Sequence, residues 1–181
     1  QARPNQPYAD LLRTAWGCDL PIVARVNGAC MAGGMGLLAM ADMAVADETA
    51  RFGLPEVKVG LFPMQVLSLL QTLVPPRTLR EWCLTGEPFD AAEARAAGLV
   101  NHVVPSSELD EKTEWLLARV AGKSPTAIRR GKYALRALSS MSFEQAIAFT
   151  EGQLALLLAT EDAREGLAAF NDKRDPVWTG R

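Results

Sequence analysis

The chain has 181 residues, 49% of them hydrophobic, and a formal net charge of −2. This composition suits an ordinary domain with a proper core, and with no long block of one sign it lacks the electrostatic footprint of a nucleic-acid binder. No run reaches the ~18–20 apolar residues of a membrane span and no signal peptide is visible, while Cys18, Cys30 and Cys83 show no metal spacing and read as reduced thiols of a cytoplasmic protein.

The first predicted element is an amphipathic helix from Pro7 to Trp16, with Tyr8, Leu11, Leu12 and Ala15 on one face. Pro21–Val26 reads as a short buried strand and Leu37–Ala41 as a helix of good helix formers, with a glycine-dense turn between them. Met43–Ala46 is a second strand, and Arg51–Gly53 a short extended piece. The prolines and glycines of Leu54–Gly60 and its flanks predict an ordered loop. Pro63 starts a helix over Met64–Leu73, apolar almost all round and therefore expected to be buried. A helix from Pro75-Pro76 runs to Leu84 and stops at Gly86. Asp90, with Glu93 as its capping-box partner, starts another that stops at Gly98. Leu99–Val104 is a third strand. Beyond it the chain reads as helical, with starts at Ser107, Ser124-Pro125, Ser142 and Thr160. The layout is α/β over residues 1–105, with parallel strands covered by helices, and a helical region over residues 106–181.

Gly28, Gly33, Gly34 and Gly36 crowd the turn, and each glycine costs roughly 0.5–1 kcal/mol against alanine. A tight strand-to-helix connection with no further role is one explanation. Gly34-Met-Gly36-Leu-Leu-Ala39 matches the dinucleotide pattern G-x-G-x-x-A, but the following helix and strand are too short for that unit. Gly28–Gly33 has the spacing of a phosphate loop, yet Gly34-Met35 stand where Lys-Ser/Thr is required. An acyl-transfer site finds no serine in the turn, and the only histidine, His102, lies on a strand with no tie to Cys30. The remaining alternative is an oxyanion hole, in which the N–H groups of Gly33 and Gly34 hold a thioester oxygen that gains charge as an enolate. Glu56 is the candidate acid/base for it. Its loop, Phe52-Gly-Leu-Pro-Glu-Val57, is apolar, and such surroundings disfavour the charged carboxylate and suit proton transfer near neutral pH.

The segments Leu20–Gly28, Ala32–Leu37, Ala41–Ala46 and Ala50–Leu61 resemble the enoyl-CoA hydratase/isomerase (crotonase) family. So do Leu84–Ala94, Gly98–Asn101, Val103–Pro105, Glu161–Gly166, Ala169-Phe170, Lys173-Arg174 and Pro176–Trp178, in order along the chain. The resemblance implies a ββα spiral core and a C-terminal helical region that packs into homotrimers, often paired into hexamers. It implies acyl-CoA thioester substrates and no separate cofactor, since coenzyme A arrives on the substrate. Part of the core, including a second oxyanion-hole donor and much of the CoA grip, is expected to lie N-terminal to this chain.

By the same resemblance Gly33 is an oxyanion-hole residue and Glu56 one of two glutamates used by hydratases. Gly36 stands where the other is expected, so the second carboxylate is missing. Gly34, Gly36 and Met64 are expected to line the substrate, with Met64-Gln-Val-Leu67 forming a bulkier wall than the usual glycine-rich turn. Hydration of a 2-enoyl-CoA is the activity implied first. Moving a double bond from C3 to C2 needs only one carboxylate and is the alternative; an acyl-CoA-binding protein without catalysis is a third.

Overall fold

The computed structural model describes residues 6–181. It divides into two compact units, one built from the first helix and Ile22–Leu117, the other from Asp19–Pro21 and Ala118–Arg181. Residues 106–117, expected with the helical region, thus group with the α/β part.

In the first unit, strands alternate between two small sheets. After α1 (Pro7–Gly17), β1 (Val23–Val26) enters one sheet and β2 (Ala29–Met31) the other, and α2 (Gly33–Ala39) follows. The pattern repeats with β3 (Met43–Asp47) and β4 (Arg51–Gly53), then a 3-10 turn over Pro55–Val59, α3 (Met64–Leu70) and α4 (Pro76–Thr85). The last pass is β5 (Phe89–Asp90), α5 (Ala91–Ala96) and β6 (His102–Val104). One sheet has the parallel order β1-β3-β6. The other has the order β2-β4-β5, with β2 and β4 parallel and β5 antiparallel. Each turn of the chain therefore lays one strand in each sheet, which is the expected spiral.

The core lies between these layers. Phe52, Leu54, Met35 and Leu70 are fully buried, and Phe52 of β4, Phe89 of β5 and Trp82 of α4 stack in series. The Trp82 indole N–H donates to Glu93 Oε1 at 2.7 Å. The Glu93 carboxylate is thus bound to the core's edge and does not complete the expected capping box, of which only one half is formed: Asp90 caps α5 by accepting from the Glu93 N–H at 2.9 Å.

Several predicted elements come out differently. The helix expected over Leu37–Ala41 is α2, Gly33–Ala39, so Gly33, Gly34 and Gly36 lie within it. β2 was expected as part of the glycine turn; its pairing with β4 (Cys30 opposite Phe52) makes it a strand despite its lack of β-branched residues. The Met64 helix ends at Leu70 and is half-buried, with Val66, Leu69 and Leu70 turned inward and Met64 71% exposed. The strand expected from Leu99 begins only at His102, because Leu99 and Val100 are buried in the turn after α5. The helix predicted from Ser107 starts with a 3-10 turn, Ser106–Glu108, before α6 (Leu109–Ala121).

The second unit is helical: α7 (Pro125–Leu138), α8 (Phe143–Leu158) and α9 (Glu161–Asp172). Ser124, Ser142 and Thr160 cap them through backbone N–H groups three residues on, each removing one orphan donor. Asp162 organises this unit. Its buried carboxylate accepts from Ser124 Oγ at 2.7 Å and from the N–H groups of Thr126, Thr179 and Gly180 at 3.3, 2.9 and 3.0 Å, which ties the C-terminal segment to the start of α7.

Burial by itself would raise the Asp162 pKa, but those donors outweigh it and hold the carboxyl well below the ordinary carboxylate range. A depressed folded-state pKa contributes stability above the unfolded value of about 4, and that contribution drains away as pH falls below it. Asp162→Asn is therefore expected to lower the melting temperature at pH 7, by on the order of 5 °C, and to flatten its decline between pH 5 and 3. Parallel acid curves for the two proteins would contradict this.

Candidate functional site

The glycine turn is built by a backbone kink. Ala32 sits between β2 and α2 with φ 49°, a value that side chains of L-residues rarely adopt, at a cost of order 1–3 kcal/mol. Its N–H donates to Gly53 O at 3.0 Å and its carbonyl accepts from Met35 N at 3.0 Å, so both neighbours hold it there. The kink starts α2 at Gly33 and Gly34, whose N–H groups, as the first of a helix, have no intrahelical acceptor.

The 3-10 turn that follows β4 carries Glu56. It is closed by Gly60 in the left-handed conformation (φ 78°), whose N–H bonds to Val57 O, while Leu61 N bonds to Glu56 O at 3.0 Å. Glu56 is half-buried. Its Oε2 is fully enclosed and has no hydrogen-bond partner among the described residues. An enclosed carboxylate oxygen without a donor is uncommon, because it loses water and gains nothing in exchange.

Tyr8, on α1, links the two parts. Its hydroxyl donates to Gly33 O at 2.6 Å. A Cβ built on Gly36 would overlap the Tyr8 Oη and would lie 3.2 Å from Cζ and 3.3 Å from Val66 Cγ2. Gly36 is thus side-chain-free because the phenol fills that space. Burial pushes the phenol pKa up, and the charge of Glu56 pushes it further in the same direction, so Tyr8 stays neutral. The sequence placed Tyr8 on the apolar face of its helix, where a hydroxyl at the end of an aromatic ring was the one available sign of a polar task.

Of the predicted site residues, Gly33 and Gly36 lie against Tyr8, Gly34 lies against Cys30, and Glu56 is near enough for its charge to act on the phenol. Met64 stands at the exposed start of α3, and Val66, two residues on, is the α3 side chain that packs against Gly36. Cys30 is near the turn, but burial raises its thiol to about 11, so almost none of it is thiolate at neutral pH and it has no nucleophile's character. His102 packs edge-on against Trp115 with ring centroids 6.0 Å apart. Arg174, near the C-terminus, forks onto Glu165 at 2.6 and 3.0 Å. A cleft of about 490 Å³ lined by Leu12, Arg13, Trp16, Gln65 and Leu69 includes neither Gly33 nor Glu56 and brings no acid–base pair together.

Among the described residues no helix is long and apolar enough to cross a membrane, and no cluster of His, Cys, Asp and Glu is arranged to hold a metal.

The model of the enoyl-CoA hydratase/isomerase family matches residues 1–181. Carnitinyl-CoA dehydratase of Salmonella heidelberg is 40% identical over 168 residues, which are 90% of this chain and 64% of that protein. The chain thus spans less than two thirds of the length of the curated relatives it matches. Among solved structures, an enoyl-CoA hydratase of Mycobacterium smegmatis superposes with a TM-score of 0.90 at 32% identity, covering 98% of this chain and 72% of the other. Human enoyl-coenzyme A hydratase domain-containing protein 3 gives 0.91 at 34% identity, covering 94% and 68%. The two-sheet spiral of the first unit, the kinked glycine turn and these matches along the whole chain lead to one conclusion: the chain belongs to the enoyl-CoA hydratase/isomerase family and has its crotonase fold.

Proposed function

We propose that this chain carries the proton-transfer half of an enoyl-CoA hydratase, which adds water across the C2=C3 bond of a 2-enoyl-CoA thioester. The observation that carries this reading is Glu56, whose enclosed Oε2 has no hydrogen-bond partner among the described residues. In the reaction the water oxygen bonds to C3 and its proton passes to Glu56. The C2=C3 electron pair moves toward the thioester oxygen as an enolate, which the Gly33 N–H stabilises with support from Gly34. Glu56 then returns the proton to C2. Coenzyme A is part of the substrate, so the chemistry calls for no separate cofactor.

Gly36 favours a second reading. With one carboxylate at the site, Glu56 can also take a proton from C2 of a 3-enoyl-CoA and return it at C4, which is isomerisation. Offering crotonyl-CoA and a 3-enoyl-CoA side by side separates the two. Hydration bleaches the conjugated enoyl absorbance of the first, whereas isomerisation creates that absorbance from the second. The expected result is faster bleaching. The reverse order makes the protein an isomerase, and acyl-CoA binding with neither change makes it a binding module.

The second unit exposes Leu135, Phe143, Leu154, Leu156, Leu158 and Phe170, each more than half accessible. Large apolar side chains in that number mark an association surface. They support the homotrimer or hexamer, and light scattering at micromolar concentration is expected to give three or six chain masses. A single chain mass removes the oligomer from the proposal.

A further inference from the structure

We propose that the Tyr8 hydroxyl is the second acceptor that holds the attacking water beside Glu56, a task for which Gly36 offers no side chain. The inference rests on the hydratase reading. Water attacks C3 efficiently only when a lone pair is aimed at that carbon, and the aim is set by where its two hydrogens are bound. Glu56 accepts one of them, the one that becomes the transferred proton. The other needs an acceptor that stays neutral and still.

Tyr8 has both properties. Its own proton is committed to Gly33 O at 2.6 Å, so the phenol oxygen presents lone pairs, and only lone pairs, to anything else that approaches. The ring is fixed at its far end by that bond and has two torsions to lose, so the oxygen is held in place. Burial and the nearby Glu56 charge keep the phenol protonated, so it does not compete with Glu56 for the water's proton. The oxygen also sits in the space where a side chain at position 36 would begin, on the first turn of the helix that carries Gly33 and Gly34. Tyr8 neither gives up nor gains a proton over the cycle; water supplies both the C3 oxygen and, through Glu56, the C2 hydrogen.

The test separates steps that need water from one that does not. Exchange of the C2 hydrogen of butyryl-CoA with solvent deuterium uses Glu56 and the oxyanion donors but no attacking water. In purified Tyr8→Phe, hydration of crotonyl-CoA is expected to fall about 10–100-fold in kcat, with KM and C2 exchange each within about threefold of the parent. A parallel loss of hydration and exchange reduces Tyr8 to a structural prop and overturns the proposal, as does hydration at the parent rate. Should Tyr8→Phe not fold, Gly36→Ala displaces the hydroxyl while keeping the ring, and the same split between hydration and exchange is expected. A parent protein that exchanges C2 hydrogen but does not hydrate overturns the hydratase reading itself, an outcome distinct from a Tyr8 variant that hydrates normally.

Discussion

Glu56→Gln is expected to lower turnover by about 10²–10⁴-fold, the span attributable to a positioned acid/base, with little change in melting temperature. The two halves of that expectation have separate causes. Glutamine has nearly the same shape and keeps an acceptor oxygen, but its amide takes no proton at neutral pH, so the shuttle between water and C2 stops. Stability is spared because Glu56 Oε2 has no hydrogen bond to lose among the described residues. The glutamine amide fills the same space and forfeits no partner, so the variant's melting temperature stays level. Steady-state rates and thermal melts on the same preparations decide the matter. Near-normal turnover takes Glu56 out of the mechanism, and a large drop in melting temperature would show that the residue supports the fold after all.

The second large effect is at Gly36, where adding a single methyl group is expected to cost activity and hardly any stability. In a helix interior, alanine gains roughly 1 kcal/mol over glycine. Against that, the new Cβ overlaps the Tyr8 hydroxyl, and the cheapest relief is to swing the phenol away from Gly33 O. Losing that hydrogen bond costs about 0.5–1.5 kcal/mol, so the two contributions nearly cancel in the melt. They do not cancel at the site. A displacement of about 1 Å is enough for on the order of a hundredfold loss in rate, and hydration is expected to fall accordingly.

The pair of variants should also be non-additive. Once Tyr8→Phe has removed the overlapping oxygen, the nearest ring atom is Cζ at 3.2 Å, a contact that a small shift of the ring relieves. Gly36→Ala in that background is then expected to cost hydration almost nothing more, the signature of two residues acting through one atom. Independent, additive losses would mean that the methyl group acts through something other than Tyr8.

Much of the architecture was legible without coordinates, for local reasons. Ser124, Ser142 and Thr160 are side chains that satisfy backbone donors three residues away, so the starts of α7, α8 and α9 are written within a single turn of chain. Gly86 and Gly98, both at positive φ, mark stops that other residues would strain. The β-branched run before the glycine turn and the short apolar run after Asp42 declared β1 and β3. Glu56 stood out because it is the acid in the otherwise apolar stretch Phe52–Val57.

What the tertiary structure alone decided are properties that depend on residues far apart in the chain. β2 is a strand because β4 lies beside it, since Ala29-Cys-Met31 has no propensity of its own to announce it. Met64 is exposed although its helix is apolar by composition, because only one side of α3 meets the core. The enclosure of one oxygen of Glu56 depends on the surrounding fold and not on its neighbours in sequence. Tyr8 reaches a carbonyl 25 residues away and fills the space beside Gly36. Sequence periodicity reports which side of a helix is apolar; it carries no information about which atom a hydroxyl at the end of that side will meet. That meeting is fixed by packing, and it turns a glycine that looked like a missing group into the place where another group fits.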